Sequence, residues 1–143
     1  MSEHPAHQTF CWPVRVYWED TDAGGIVFYA NYLKFFERAR TEWLRSLGIH
    51  QRELRDSSGG MFVVGGASLD YKRPARLDDR IEVTARVAEL GRASLVLEQQ
   101  AWLLEGASRS QLLCEGSIRI GWVDAAQLKP ARIPASILQV LTP

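Results

Sequence analysis

Hydrophobic and polar residues alternate with period two in five stretches of the chain. Such alternation is what a half-buried strand requires, because successive side chains leave opposite faces of a sheet. The first stretch runs Phe10, Trp12, Val14, Val16 and Trp18, with Arg15, Tyr17 and Glu19 on the other face. The second begins near Met61 and sets Ala67, Leu69 and Tyr71 against Ser68, Asp70 and Lys72. In the third, Ile81, Val83, Ala85 and Val87 alternate with Glu82, Thr84 and Arg86. The fourth covers about 93–104 and the fifth about 112–123, where Leu112, Cys114, Ile118, Ile120 and Trp122 share a face. Turn formers separate them: Pro74 with Asp78 and Asp79, then Gly91, then Gly106.

One segment keeps a different period. From Asn31 to Leu47 the apolar residues Tyr32, Phe35, Phe36, Ala39, Trp43, Leu44 and Leu47 recur at three- and four-residue steps, which is one face of a helix. Glu37, Arg38, Arg40, Glu42 and Arg45 take the other side, and Gly48 supplies the left-handed stop. The spacing predicts a helix of roughly 17 residues, about 25 Å long. Its aromatic residues read as core, since helical spacing accounts for them without a ligand. One strand, a long helix and four further strands describe an α+β domain in which an antiparallel five-stranded curved sheet wraps around one long central helix. Ile133, Ile137, Leu138 and Leu141 predict a short helix starting near Pro134. Nothing divides residues 1–143, so a single domain is expected, with 1–8 as a flexible tail.

Composition narrows the classes of function. With 143 residues, 46% hydrophobic, the chain can build a packed core without disulfide or metal staples. Seventeen Lys and Arg balance seventeen Asp and Glu. That balance argues against nucleic acid or an anionic membrane surface as partner, because both demand a cationic surplus. Cys11 and Cys114 lie far apart in apolar runs with no neighbouring His, and they read as reduced core residues rather than a metal or redox centre. The beginning of the chain lacks the basic start and apolar stretch of a signal peptide, and no run of 18 apolar residues is present, so a cytoplasmic protein with no membrane span is expected.

The candidate chemistry lies between the first strand and the helix, in Glu19-Asp20-Thr21-Asp22-Ala23-Gly24-Gly25-Ile26-Val27-Phe28-Tyr29-Ala30-Asn31-Tyr32. Gly24 and Gly25 carry no Cβ and let backbone amides approach a ligand. Amides at a helix start lack intrahelical partners and have the positive end of the helix dipole behind them. A carboxylate nearby takes a proton from water or attacks a carbonyl itself, so the loop holds both halves of an acyl-transfer site. The same run is also an ordinary turn, with Asp side chains bonding local amides. A calcium loop is a third reading: Asp20, Asp22 and Gly25 match three of its positions, but Gly24 and Asn31 stand where oxygen ligands belong. The histidines are His4, His7 and His50, two in the tail and one past the helix, which leaves no evident base for a serine or cysteine triad.

Residues 17–32 of this loop, followed by Phe36-Glu37-Arg38-Ala39-Arg40-Thr41-Glu42, then Tyr71-Lys72-Arg73-Pro74-Ala75-Arg76-Leu77-Asp78-Asp79 and Lys129-Pro130, strongly resemble the hotdog-fold acyl-CoA thioesterases. Within them the chain is most similar to the Tol-Pal-associated (YbgC-like) branch of the 4-hydroxybenzoyl-CoA thioesterase family, over roughly residues 10 to 135. The resemblance implies hydrolysis of acyl-coenzyme A to free acid and coenzyme A, with no cofactor and no metal. It implies that Asp22 is the catalytic carboxylate, that the backbone amide of Tyr29 polarises the thioester carbonyl, and that Gly25 is the motif glycine. Tol-Pal-associated relatives often carry His where Tyr29 stands, while the 4-hydroxybenzoyl-CoA enzyme carries Tyr.

By the same resemblance Arg92 and Ser94, after Gly91, match positions that contact the coenzyme A nucleotide, although the residues alone read equally well as a polar hairpin turn. Arg73 and Arg76 are further cations, with Asp78 and Asp79 at hand to pair with them. Phe28 precedes the helix and is placed to line the acyl pocket. Family sites lie between subunits, which implies a homodimer or homotetramer in which Asp22 of one chain faces Arg92 of another. An acyl carrier protein is a second candidate partner. Two rivals remain: a non-catalytic acyl-CoA sensor or envelope scaffold on the same fold, and a dehydratase, which would want a His near the helix.

Overall fold

The alternating stretches become the strands of one sheet, and the single stretch of helical period becomes the rod it wraps. The computed structural model describes residues 8–142, so the tail expected at 1–8, Gln8 apart, lies outside the described residues together with His4 and His7. The chain runs β1 (Phe10–Arg15), a 3-10 turn (Trp18–Asp20), α1 (Asn31–Ser46), α2 (Gln51–Ser58), β2 (Gly60–Tyr71), β3 (Arg80–Leu90), β4 (Ser94–Glu105), β5 (Ser108–Asp124) and α3 (Ala135–Leu141). The sheet order is β1-β3-β4-β5-β2 and every pairing is antiparallel. The expected hotdog architecture, five antiparallel strands curved around one long helix, is the one observed.

Tyr32, Phe35, Phe36, Ala39, Trp43 and Leu44 on α1 are buried against Ile81, Val83, Ala85, Leu95, Leu97, Ile118 and Ile120 of the sheet. Gln99 sits among them: its Oε1 accepts the Arg40 guanidinium at 2.9 Å while its Nε2 donates to the carbonyls of Phe36 at 3.0 Å and Thr84 at 3.2 Å. This polar knot ties helix to sheet, and burial pulls the Arg40 guanidinium below its usual pKa.

Four expectations are corrected. Strand β1 does not reach Trp18; beyond Arg15 the chain pairs instead with the turn ahead of β3, through Val16 N–H to Asp79 O at 2.9 Å and Asp78 N–H to Val16 O at 3.0 Å. Trp18 therefore lies in the 3-10 turn and is 75% exposed. In β5 it is Leu113, not Leu112, that enters the core: the register passes from Ala101↔Cys114 to Trp102↔Leu112, leaving Leu113 in a β-bulge. Cys11 faces outward on the edge strand β1 and is exposed, whereas Cys114 is buried. Helix α2, Gln51–Ser58, was not expected, because Leu54 is its one apolar residue and no apolar period announces it. The α1 stop is at Gly48 as read, with φ +84°, and α3 begins directly after Pro134.

Candidate active site

The loop from β1 to α1 is built as a tight turn. Thr21 and Val27 form a bridge, Asp22 N–H donates to Ile26 O at 2.9 Å, and Gly25 N–H donates to Asp22 O at 3.0 Å. Gly25 has φ +78°, a left-handed conformation that glycine adopts without strain. The Asp22 side chain is exposed, and its Oδ1 accepts the Gly24 amide at 2.8 Å. The ordinary-turn reading thus holds for one carboxylate oxygen. The amides of Gly24 and Gly25 are both engaged inside the turn.

The loop is laced to the segment after Pro74. Val27 N–H donates to Ala75 O at 2.8 Å and Leu77 N–H to Gly25 O at 3.1 Å. Ala75 N–H donates to the Tyr32 hydroxyl at 3.1 Å, and burial raises that phenol's pKa. The bulged Leu113 completes the frame, its carbonyl accepting the amides of Lys72 at 2.8 Å and Arg73 at 3.1 Å where β2 ends.

Asp20 is 2% exposed. Its Oδ1 accepts from Asn31 Nδ2 at 2.9 Å, its Oδ2 from Tyr17 N–H at 2.9 Å, and its carbonyl from Phe28 N–H at 3.0 Å. Both carboxylate oxygens are occupied by donors, which removes the first ligand of the calcium reading. Outside the calcium reading, the sequence assigned Asp20 and Asn31 no role. No period announces the burial of Asp20, since the alternation of β1 ends at Arg15 and the intervening Trp18 is exposed.

At the start of α1 the amides of Tyr29 and Ala30 have no hydrogen-bond partner among the described residues, whereas those of Val27, Phe28 and Asn31 are bonded. These two unbonded amides stand at the positive end of a 16-residue helix. Around them lies an aromatic patch. Phe28 and Tyr29 are 49% and 63% exposed with ring centroids 4.8 Å apart, and Tyr71 meets Tyr29 edge-on at 6.0 Å and Tyr32 at 5.7 Å. Partial burial raises the Tyr71 phenol. Tyr71 was read as a strand residue and as the start of a family-like stretch, and nothing in one-dimensional spacing brings it to the helix start.

Asp22, Gly25, Phe28, Tyr29 and Arg73 therefore share one end of the sheet. Arg73 is exposed, and neither it nor Arg76 forms an ion pair with Asp78 or Asp79 among the described residues. Asp79 instead accepts the Arg76 amide at 2.8 Å, and the Asp78 carbonyl accepts the Arg15 guanidinium at 2.9 Å. Arg92 and Ser94 lie at the other end, across the eleven residues of β3, a span of about 33 Å. There the Gly91 amide donates to Ser94 O and the Ile133 amide to Arg92 O, both at 2.8 Å. Arg92 and Arg132 flank a groove of about 400 Å³ floored by Ile133, Pro134 and Leu138. One chain does not bring Asp22 and Arg92 together.

Comparison with known proteins follows the same lines. The family model of the thioesterase superfamily matches residues 24–109. The chain is 40% identical to the acyl-CoA thioesterase YbgC of Haemophilus influenzae over 128 residues, covering 90% of each chain. It is 42% identical to the acyl-CoA thioester hydrolase YbgC of Escherichia coli O6:H1 over 129 residues, 90% of this chain and 92% of that one. Among solved structures, a gentisyl-coenzyme A thioesterase superposes with TM-score 0.79 at 29% identity, over 90% of this chain and 98% of that one. A mutant 4-hydroxybenzoyl-CoA thioesterase complexed with 4-hydroxybenzoyl-CoA shares the fold, with TM-score 0.85 at 18% identity over 94% and 99% of the two chains.

Proposed function

The chain belongs to the thioesterase superfamily and is an acyl-CoA thioester hydrolase; on that premise we propose that Asp22 and the helix-start amide of Tyr29 carry its chemistry. The observation that supports this most is the pattern of free and engaged amides. The amides of Val27, Phe28 and Asn31 on either side are bonded internally while those of Tyr29 and Ala30 at the helix start are not, and the exposed carboxylate of Asp22 belongs to the same loop.

The thioester carbonyl accepts the Tyr29 N–H, which gains strength as negative charge develops on oxygen; one such donor is worth about 2.7–4 kcal/mol. The Asp22 carboxylate, oriented by the Gly24 amide, removes a proton from a water attacking the carbonyl carbon, or attacks that carbon itself to give an anhydride that water then opens. On either route one water is consumed, the carbon–sulfur bond breaks, and the leaving thiolate takes up a proton as coenzyme A. Phe28, Tyr29 and Tyr71 form the apolar surface on which the acyl group rests.

The assembly is part of the proposal. Edge strand β2 carries Val64, 52% exposed, and α1 carries Leu33, 41% exposed; with Ala67 and Ile118 they line an apolar groove of about 390 Å³. A second copy pairing along β2 covers this groove and continues the sheet, and pairing of such dimers makes a tetramer in which Arg92 of another chain reaches the coenzyme A phosphates while Arg73 stands nearer the thioester. Bidentate phosphate contacts suit Arg. Acyl carrier protein, whose thioester is chemically equivalent, is a second donor. The free thiol of Cys11 is at home in a reducing cytoplasm.

The test is a free-thiol release assay across short-chain, long-chain and aromatic acyl-CoA and acyl carrier protein, with wild type and Asp22→Asn. The expected outcome is a kcat lower by about 10²–10⁴ with the fold retained. Unchanged turnover of the variant contradicts the assignment of Asp22, and a wild type inert on every donor supports the sensor reading.

A further inference from the structure

We propose that buried Asp20 is a positioning residue for the thioester reaction: it holds the two sides of the helix-start turn so that the Tyr29 and Ala30 amides stay free of internal partners. The inference rests on the assignment of Asp22 and Tyr29 above. Asp20 grips this turn twice. Its backbone carbonyl takes the Phe28 amide at 3.0 Å, and its carboxylate takes the Asn31 side-chain amide at 2.9 Å. The two unbonded amides, Tyr29 and Ala30, are the residues between those clamps.

A carboxylate that is 2% exposed is costly to bury and persists only when its oxygens are met by donors. Here they are met by one backbone amide, Tyr17, on the incoming side and one side chain, Asn31, on the helix. Charge-assisted bonds of this kind are shorter and stronger than neutral ones. They join the end of the incoming strand to the first turn of α1, and Asp22 is only two residues further along the chain. The group that attacks and the group that receives the oxyanion are therefore referenced to one buried point. Small displacements of such groups have large effects on rate. Asn31 cannot cap the helix conventionally, since the residue ahead of it, Ala30, already has helical torsions and no side-chain cap. Its amide is directed at Asp20 instead.

Exchange of the two partners tests this. Asn31→Asp sets a second carboxylate against Asp20, while Asp20→Asn combined with Asn31→Asp restores one donor facing one acceptor and leaves an oxygen for the Tyr17 amide. The expected result for Asn31→Asp is a kcat at least about tenfold lower with KM changed less than about threefold, and return of kcat to within about threefold of wild type in the double variant. If Asn31→Asp does not fold, Asn31→Ala withdraws the donor without adding charge and is expected to show the same loss confined to kcat. A folded Asn31→Asp or Asn31→Ala protein with wild-type kcat, a loss seen only in KM, or a double variant no faster than the single one overturns the proposal. Asp22→Asn is measured alongside: if it turns over like wild type, the reading beneath fails, whereas an inactive Asp22→Asn beside a fully active Asn31→Asp removes the role of Asp20 alone.

Discussion

Burial pushes the Cys114 thiol from its ordinary 9.0 up to about 12, first because the ionised sulfur would be stripped of water, and further because Asp70 and Glu115 oppose a second negative charge. In the unfolded chain the same thiol ionises near 9.0. The preference for the neutral form therefore supports the fold fully below that pH and is lost as the pH rises toward 12. Urea midpoints are expected to fall across this range for wild type and less steeply for Cys114→Ala. With a thiol reagent at neutral pH, the folded protein is expected to label at exposed Cys11 alone, with Cys114 reacting only in denaturant. Residue type announced neither difference: both cysteines lie in apolar runs, and Cys11 faces outward because it falls on the strand face opposite Val14. The same limit applies to the two acids of the loop. Asp22 stands out as a candidate because it lies beside glycines ahead of a helix, in the pattern of a family motif, while Asp20 looks identical in one dimension and its proposed role comes from burial against Asn31.

Among elements, the join between α1 and the sheet was only half legible. Helical spacing placed Phe35, Phe36, Ala39 and Trp43 inward, and they are inward, yet it also assigned Arg40 to the solvent side, where the structure leaves it 8% exposed. Gln99 on β4 supplies the acceptor that makes this possible. Gln99→Leu is expected to leave a buried guanidinium without that oxygen and to lower stability by about 2–4 kcal/mol, read from chemical denaturation. Gln99→Glu, which keeps an acceptor for Arg40 but presents carboxylate oxygen to two carbonyls, is expected to recover only part of it. The bulge at Leu113 escaped the alternation for a simple reason: one extra residue in a strand reverses its parity. That reversal turns the Leu113 carbonyl toward Lys72 and Arg73 and fixes the end of β2 beside the candidate catalytic loop.

For the whole molecule, the order of elements and the wrapped helix were readable from two periods, 2 and 3.6, because a buried face repeats with the geometry of the backbone. Which ends of the sheet meet was not readable, since only pairing and register show that Asp22 and Arg92 lie a strand's length apart. If each site draws Asp22 from one chain and Arg92 from another, co-expressed Asp22→Asn and Arg92→Ala chains assemble about a quarter of their sites with both residues native. Such mixtures are expected to recover kcat/KM above either homo-oligomer, while Arg92→Ala alone raises KM with little change in kcat, a remote phosphate contact serving ground and transition states alike. The most direct measurement of the central claim is the infrared band of a ¹³C-labelled thioester carbonyl bound to Asp22→Asn. The thioester is expected to persist in that protein, with its carbonyl band at lower frequency than in water, polarised by the helix-start amide. A carbonyl band at its solution frequency, or hydrolysis of the label at the wild-type rate, would contradict the claim.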